Sequence, residues 1–97
     1  MSSKHSVLIT GASTGIGAVY ADRFAKRGHD LILVARDRTR MERLADRLRS
    51  NTGVSIDILR ADLTGSRDLA QVEARLDDDA RIGVLVNNAG ASSAGNF

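Results

Sequence analysis

The residues Thr10-Gly11-Ala12-Ser13-Thr14-Gly15-Ile16-Gly17 follow a short apolar run, Val7-Leu8-Ile9, and precede a stretch with helical spacing that ends near Gly28. This order is typical of a strand, a glycine-rich turn and a helix. The N-terminus of a helix carries unpaired N–H groups and a partial positive charge, and it therefore attracts phosphate. We interpret the stretch as a phosphate-binding loop; the alternative is an ordinary turn between a strand and a helix.

Three glycines of this stretch have separate roles in that interpretation. Gly11 can adopt a tight turn with positive φ. Gly15 places no Cβ in the way of a pyrophosphate, and Gly17 lets the helix pack close to the strands. A bare glycine pattern is a weak signal, so further support has to come from the rest of the chain.

Length and composition are those of a small soluble α/β domain. The chain has 97 residues, of which 42% are hydrophobic and 27% charged, and this allows one domain at most. The absence of cysteine excludes disulfides and thiolate metal sites. The longest apolar run, residues 31–35, is too short to span a bilayer, and the first residues do not resemble a secretory signal. We therefore expect a cytoplasmic protein without a membrane partner.

The basic residues raise the question of nucleic-acid binding. The net charge is +2, and six arginines lie between Arg36 and Arg49. Three acids, Asp37, Glu42 and Asp46, are interleaved with them, and the chain has only three aromatic residues on which bases could stack. A solvated, charged helix face explains this pattern better than a nucleic-acid interface does.

Four apolar segments predict four strands. The first two, residues 5–10 and 30–35, are continuous apolar runs, which suit a sheet that is covered on both faces. Residues 54–59 alternate between apolar and polar side chains, and residues 82–86 form the fourth segment. Each of the first three segments is followed by a stretch with helical spacing.

The three predicted helices differ in their apolar faces. The first begins at residue 13 or 15 and reaches about Lys26, and its expected apolar side is Ile16, Val19, Tyr20, Phe24 and Ala25. The second covers residues 38–49 and is expected to bury Met41, Leu44, Ala45 and Leu48, before a turn at residues 50–53. The third follows Ser66 and contains Leu69, Val72 and Leu76. The three aspartates at residues 77–79 are interpreted as a solvated loop, because adjacent acids rarely converge on one metal ion.

This alternation of strands and helices predicts a parallel sheet with helices on both faces. Right-handed crossovers and a glycine loop after the first strand favour the Rossmann-type strand order 3-2-1-4.

The end of the second predicted strand indicates which dinucleotide would bind. An acid at this place bonds the adenosine ribose hydroxyls and repels a 2′-phosphate. Here Ala35 is followed by Arg36, with Arg38 close behind. A guanidinium can hold two phosphate oxygens at once, so this pattern favours NADP(H) over NAD(H). Asp37, one or two positions late, is the competing candidate for the ribose role.

The third and fourth strands end at the same predicted edge of the sheet, where ligands bind in open parallel sheets. Asp62 follows the third strand, and it could either accept a hydrogen bond from adenine or cap the next helix, for which Ser66 is another candidate. Asn87-Asn88-Ala89-Gly90 follows the fourth strand. Its amides could bridge strand ends, and its small residues would leave room for a ribose.

Together, these four motifs resemble the N-terminal part of a classical short-chain dehydrogenase/reductase, and the match covers essentially the whole chain. The resemblance implies a Rossmann fold, a nicotinamide cofactor and hydride transfer between a carbonyl and an alcohol. The cofactor-binding residues that it implies are Gly11, Ser13, Thr14, Gly15, Ile16 and Gly17 in the loop, Arg36 at the 2′-phosphate, Asp62 and Leu63 at adenine, and Asn88, Ala89 and Gly90 beside the ribose.

The catalytic residues of that family have no counterpart here. Its Tyr-x-x-x-Lys pair lies in the later half of longer chains, whereas this chain has one tyrosine, Tyr20, and two lysines, Lys4 and Lys26. We therefore interpret residues 1–97 as an NADP(H)-binding half-domain that stops after the fourth strand, lacks the catalytic half and has no turnover alone. The alternative is a non-enzymatic module that binds a nucleotide or another subunit. Self-association, or a partner that supplies the missing elements, is expected, because the missing strands would leave an open sheet edge.

Overall fold

The computed structural model describes residues 5–12, 15–62 and 65–87 of the chain. These residues form strands β1 (Ser6–Thr10), β2 (Leu31–Ala35), β3 (Ile56–Arg60) and β4 (Ile82–Asn87), and helices α1 (Gly15–Lys26), α2 (Arg38–Thr52) and α3 (Ser66–Asp78). The strands form one parallel sheet in the order β3-β2-β1-β4. The predicted Rossmann-type order is therefore confirmed. None of the described helices is long and apolar enough to cross a membrane.

Helices cover both faces of this sheet. On one side, which we call the α1/α2 face, Val7, Ile9, Leu31 and Leu33 pack with buried residues of α1 and α2. On the other side, the α3 face, Leu8, Ile32 and Val34 pack with Val72 of α3. All five residues of β1 and all five of β2 are buried, as their continuous apolar runs predicted.

Helix α1 turns only part of the predicted apolar side to the sheet. Its buried residues are Gly17, Ala21 and Ala25, which are spaced four apart along one side of the helix. The prediction was right for Ala25, which is buried, and for Phe24, which is partly buried against the same core. It was wrong for Ile16, Val19 and Tyr20, which are 61%, 50% and 41% exposed. The physical reason is distance, because only small side chains let the helix backbone approach the strands closely. The larger apolar residues are displaced to the flank.

Helix α2 buries the four predicted residues, Met41, Leu44, Ala45 and Leu48, but it is longer than predicted. Residues 50–52, which were interpreted as part of a turn, continue the helix. Thr52 Oγ1 donates to the Leu48 carbonyl over 2.7 Å, and Gly53 ends the helix in the left-handed conformation with its N–H on the Arg49 carbonyl. Strand β3 consequently starts at Ile56 rather than at residue 54.

The acidic segment after α3 is not the solvated loop that was predicted. Asp77 and Asp78 belong to the helix, and Asp79 is its C-cap, with a side chain only 11% exposed. The Asp79 carboxylate accepts hydrogen bonds from Arg75 Nε at 3.2 Å and from Arg81 Nη2 at 3.0 Å. These bonds, led by the one from Arg81, hold the pKa of Asp79 well below its usual value of 3.8. The two arginines thus offset the unfavourable interaction between this carboxylate and the negative C-terminal end of the helix dipole.

Strand β4 contains a bulge at Gly83. Ser6 pairs with Ile82, but Val7 pairs with Val84, so one residue of β4 is extra. The bulge moves the side chains that follow to the opposite faces. Ile82 packs on the α3 face, whereas Val86, four residues later, packs on the α1/α2 face.

Candidate cofactor-binding site

The predicted site residues that the structure describes follow the carboxyl ends of the strands. Because the sheet is parallel, these ends lie along one edge, which we call the carboxyl edge. Gly11 follows β1, Arg36 follows β2 and Asp62 comes shortly after β3. The remaining candidates, Ser13, Thr14, Leu63, Asn88, Ala89 and Gly90, lie outside the described residues.

The turn between β1 and α1 depends on glycine at two positions. Gly11 has φ 64°, as the sequence predicted, and Gly15, the first residue of α1, has φ 56°. A side chain would be strained at both positions. A Cβ added at Gly15 would meet no described atom within 4 Å. This supports the expectation that Gly15 leaves room for a ligand at the helix N-terminus.

The same turn is anchored to the sheet beside it. Ala12 is fully buried, and its N–H donates to the carbonyl of Val34 in β2 over 3.3 Å. Thr10 is also buried, and its hydroxyl donates to the carbonyl of Val86 in β4 over 3.4 Å. Gly17 faces the core, so the predicted close approach of α1 to the strands is confirmed. These contacts fix the position of the turn relative to the neighbouring strand ends.

The two candidates at the end of β2, Arg36 and Asp37, have different surroundings. Asp37 is the N-cap of α2, and its Oδ1 accepts the backbone N–H of Arg40 over 3.0 Å. Its other oxygen lies 3.4 Å from Arg40 Nε. Arg36 is exposed, and no acid pairs with it in the part of the chain that the structure describes. The guanidinium is thus available to an anion, whereas the carboxylate is already bonded.

Arg38, which was considered as additional help for phosphate binding, has an acidic partner. Its Nη1 lies 3.6 Å from a carboxylate oxygen of Glu42, one turn along α2, and both side chains are more than half exposed. An exposed pair of this kind stabilises little and exchanges readily with solvent or another anion.

Asp62 is held in place through its backbone. Its N–H donates to Asp68 Oδ2 over 2.7 Å, and its carbonyl accepts the N–H of Gly65 over 2.9 Å. The N-cap of α3 is Gly65, so the alternative prediction that Asp62 or Ser66 caps this helix was wrong. Sequence reasoning did not identify the role of Asp68, although an acid in the first turn of a helix was a signal for it.

Comparison with known proteins identifies the family. A family model described as short chain dehydrogenase matches residues 5–97. The chain belongs to the short-chain dehydrogenase family. It is similar to a short-chain dehydrogenase from Sphingobium yanoikuyae solved in complex with NADPH, with 62% identity and a TM-score of 0.89 over 96% of this chain and 37% of that one.

Two further proteins show the range of this family. A bulky-bulky ketone specific alcohol dehydrogenase from Comamonas testosteroni is 58% identical, with a TM-score of 0.85 over 87% of this chain and 34% of that one. Human 17-beta-hydroxysteroid dehydrogenase type 3 is 37% identical over 86% of this chain and 26% of its own length. This short-chain dehydrogenase sequence therefore spans about a quarter to a third of the relatives that it matches.

Proposed function

We propose that this chain is the NADP(H)-binding part of an oxidoreductase that interconverts a carbonyl and an alcohol. The proposal rests on the different surroundings of the two charged residues, Arg36 and Asp37, at the end of β2. The Arg36 guanidinium has no acidic partner among the described residues, and the Asp37 carboxylate is bonded to Arg40. A ribose with a free 2′-hydroxyl would need an available acid here, whereas a 2′-phosphate needs an available cation.

The glycine turn supports binding of the pyrophosphate. Gly15 is the first residue of α1, and a Cβ at this position would meet no described atom within 4 Å, so no described side chain or backbone blocks a phosphate from the N–H groups at the helix N-terminus there. We assign the pyrophosphate and nicotinamide side of the cofactor to Gly11, Ser13, Thr14, Gly15, Ile16 and Gly17. We assign adenine to Asp62 and Leu63, and the adjacent ribose to Asn88, Ala89 and Gly90.

The relatives support both the cofactor and the reaction class. The Sphingobium yanoikuyae protein was solved with NADPH, and it shares 62% identity with this chain. The names of other relatives describe alcohol dehydrogenases and hydroxysteroid dehydrogenases, which act on alcohol and carbonyl groups. NADP(H) would supply or accept the hydride in such a reaction. The residues assigned above would bind and orient that cofactor.

We propose no catalytic residue within these 97 residues. Tyr20, the single tyrosine, lies in α1 with 41% of its surface exposed, and Lys26 is paired with Asp22 at 3.1 Å. Neither belongs to a Tyr-x-x-x-Lys pair that could move a proton to or from substrate. Residues 1–97 would then act as a cofactor-binding half-domain, and we expect no turnover of NADPH by this chain alone with any carbonyl.

The test is to titrate NADPH and NADH separately into the chain and into its Arg36→Ala variant and to measure the dissociation constants by calorimetry. Loss of one charged hydrogen-bonding partner costs roughly 1.5–3 kcal/mol, or about 10- to 150-fold in the dissociation constant for NADPH. NADH binding should remain nearly unchanged. Arg47→Ala is the matched control, because Arg47 is an exposed arginine of α2 without an ion pair among the described residues. Equal losses for the two cofactors would refute the assignment of Arg36.

Self-association is a second candidate function, and exposed apolar residues favour it. Among the described strands, β4 pairs with β1 alone, and Leu85 on this strand is 50% exposed. Ile16 and Val19 add exposed apolar surface on the flank of α1. Light scattering should show a dimer or larger species that Leu85→Ser weakens. Leu69→Ser, which changes an exposed leucine on α3, is the control. A monomer at all concentrations would exclude this function.

A further inference from the structure

Asp68 is an acid on the inner side of α3. Val72 and Leu76, which pack on the α3 face of the sheet, follow it at intervals of four residues, so the three residues lie along one side of the helix. Asp68 is half-buried. An apolar residue is the usual choice for such a position, because a carboxylate loses hydration when it is buried. Packing alone therefore does not explain this carboxylate.

The partner of the carboxylate is a backbone group of the candidate site. Asp68 Oδ2 accepts the N–H of Asp62, six residues earlier, over 2.7 Å. In a capping box, the acid at the third helical position would instead bond the N–H of the N-cap residue. The N-cap here is Gly65, and its N–H already donates to the carbonyl of Asp62 over 2.9 Å. Asp68 thus reaches past the N-cap to the segment that follows β3.

Together, these bonds fix the backbone of Asp62 between two parts of the fold. Ala61, the residue before it, is buried and donates its N–H to the carbonyl of Ala35 at the end of β2 over 2.9 Å. The N–H of Asp62 is bonded to α3 through Asp68, and its carbonyl closes the turn to Gly65. A hydrogen bond to a charged carboxylate is about twice as strong as one between neutral groups. The backbone from which the Asp62 side chain leaves consequently has a fixed place at the carboxyl edge.

We propose that Asp68 is a positioning residue for the adenine of the cofactor. The inference rests on the proposed function, which assigns adenine to Asp62, and deepens it. Asp68 holds the backbone of Asp62 so that the Asp62 carboxylate meets the amino group of adenine in the orientation that a hydrogen bond requires. Without the bond from Asp68, part of the binding free energy would be lost in ordering this segment. Adenine is common to NADPH and NADH, so binding of both would depend on Asp68.

The test compares the binding of NADPH with that of its hypoxanthine analogue, in which an oxygen replaces the amino group of adenine. Both are titrated into the full chain and into its Asp62→Ala, Asp68→Ala, Asp68→Asn and Glu73→Ala variants. The unmodified chain should bind NADPH about tenfold more tightly than the analogue, which is the usual effect of one hydrogen bond to a charged group. Asp68→Ala should reduce this preference to about threefold or less, by weakening NADPH and leaving the analogue nearly unchanged.

The other variants separate positioning of Asp62 from support of the helix. Asp68→Asn keeps an oxygen that can accept the N–H of Asp62, so most of the preference for adenine should return. In the Asp62→Ala background, Asp68→Ala should cause no further loss of preference, because the carboxylate that it positions is gone. Glu73→Ala removes an exposed carboxylate from the same helix and should change neither affinity.

Asp68→Ser replaces Asp68→Ala in this comparison if the alanine variant does not fold. Serine suits the N-terminal turn of a helix, but its hydroxyl is one bond short of the position of the carboxylate oxygen. The preference for adenine should therefore fall in this variant as well.

The outcomes distinguish this inference from the proposed function. If Asp68→Ala weakens NADPH and the hypoxanthine analogue equally, Asp68 supports the fold alone and the inference is wrong. An unchanged preference for adenine in Asp68→Ala or in Asp62→Ala would also overturn it. In each of these cases the proposed binding of NADP(H) still stands if Arg36→Ala selectively weakens NADPH. Failure of the unmodified chain to bind either NADPH or NADH would refute both.

Discussion

Substitution of Gly83 by alanine tests the bulge that sets the register of β4 against β1. The ring of His5 lies directly over Gly83, and an added Cβ would be 2.6 Å from His5 Cβ and 2.8 Å from its Nδ1. Ordinary van der Waals contact begins at about 3.4 Å. Either the His5 backbone or the strand must therefore move by nearly an ångström. A rotation of the ring alone cannot relieve the contact with Cβ.

The cost follows from what holds His5 in place. Its carbonyl lies 2.8 Å from Nδ1 of His29, and the next residue, Ser6, donates its N–H to the Arg81 carbonyl over 2.7 Å. Overpacking of this kind costs about 1–3 kcal/mol. The lower backbone entropy of alanine in the unfolded chain returns about 0.4–1 kcal/mol. The free energy of unfolding should thus fall by about 1–2 kcal/mol, which corresponds to a decrease in melting temperature of about 5–10 °C for a domain of this size.

The assay is thermal and urea denaturation followed by circular dichroism, with second variants at His5 as controls. His5→Gly removes both the ring and Cβ, so Gly83→Ala should cost little in that background. His5→Ala keeps the Cβ at 2.6 Å and should rescue only part of the loss. If Gly83→Ala destabilises all three backgrounds equally, or stabilises the chain, contact with His5 is not the reason for glycine at this position.

Two further predictions concern α3. The lowered pKa of Asp79 means that its carboxylate stabilises the fold above pH 3.8 and that this contribution is lost as the pH falls through the folded pKa. Asp79→Asn should therefore lower the melting temperature at pH 7, and the difference in melting temperature from the unmodified chain should shrink as the solution is acidified. The control is Asp78→Asn, which removes an exposed carboxylate and should change the melting temperature little at either pH. At the N-terminus of α3, Gly65 has φ −98°, ψ 134° and no side chain to cap the helix. Gly65→Ser should raise the free energy of unfolding by a few tenths of a kcal/mol up to about 1 kcal/mol, and an unchanged urea midpoint would contradict this.

The sequence was sufficient to predict the strand order and the buried face of α2. Both depend on local signals. Continuous apolar runs such as Leu31–Ala35 indicate strands that are covered on both faces, and Met41, Leu44, Ala45 and Leu48 recur at helical spacing in a stretch that is otherwise charged. The right-handed crossover rule then leaves few ways to arrange four parallel strands.

The errors arose where a distant part of the chain decides the outcome. In α1, hydrophobicity alone favoured Ile16 and Val19, but the residues that are buried at the short distance between helix and sheet are Gly17, Ala21 and Ala25. In β4, the run of residues 82–86 is apolar throughout, so no alternation could reveal that Gly83 is a bulge. The side chain that lies over Gly83 is that of His5, at the other end of the described chain.

The candidate site shows the same division between local and distant information. Arg36 could be assigned from the sequence because it directly follows an apolar run, at a known distance from the glycine turn. The sequence did not reveal that the carboxylate of its competitor Asp37 caps α2, which the structure shows. The sequence therefore shows which charged residues follow the strand, but only the fold shows that one of them, Asp37, is already bonded within α2.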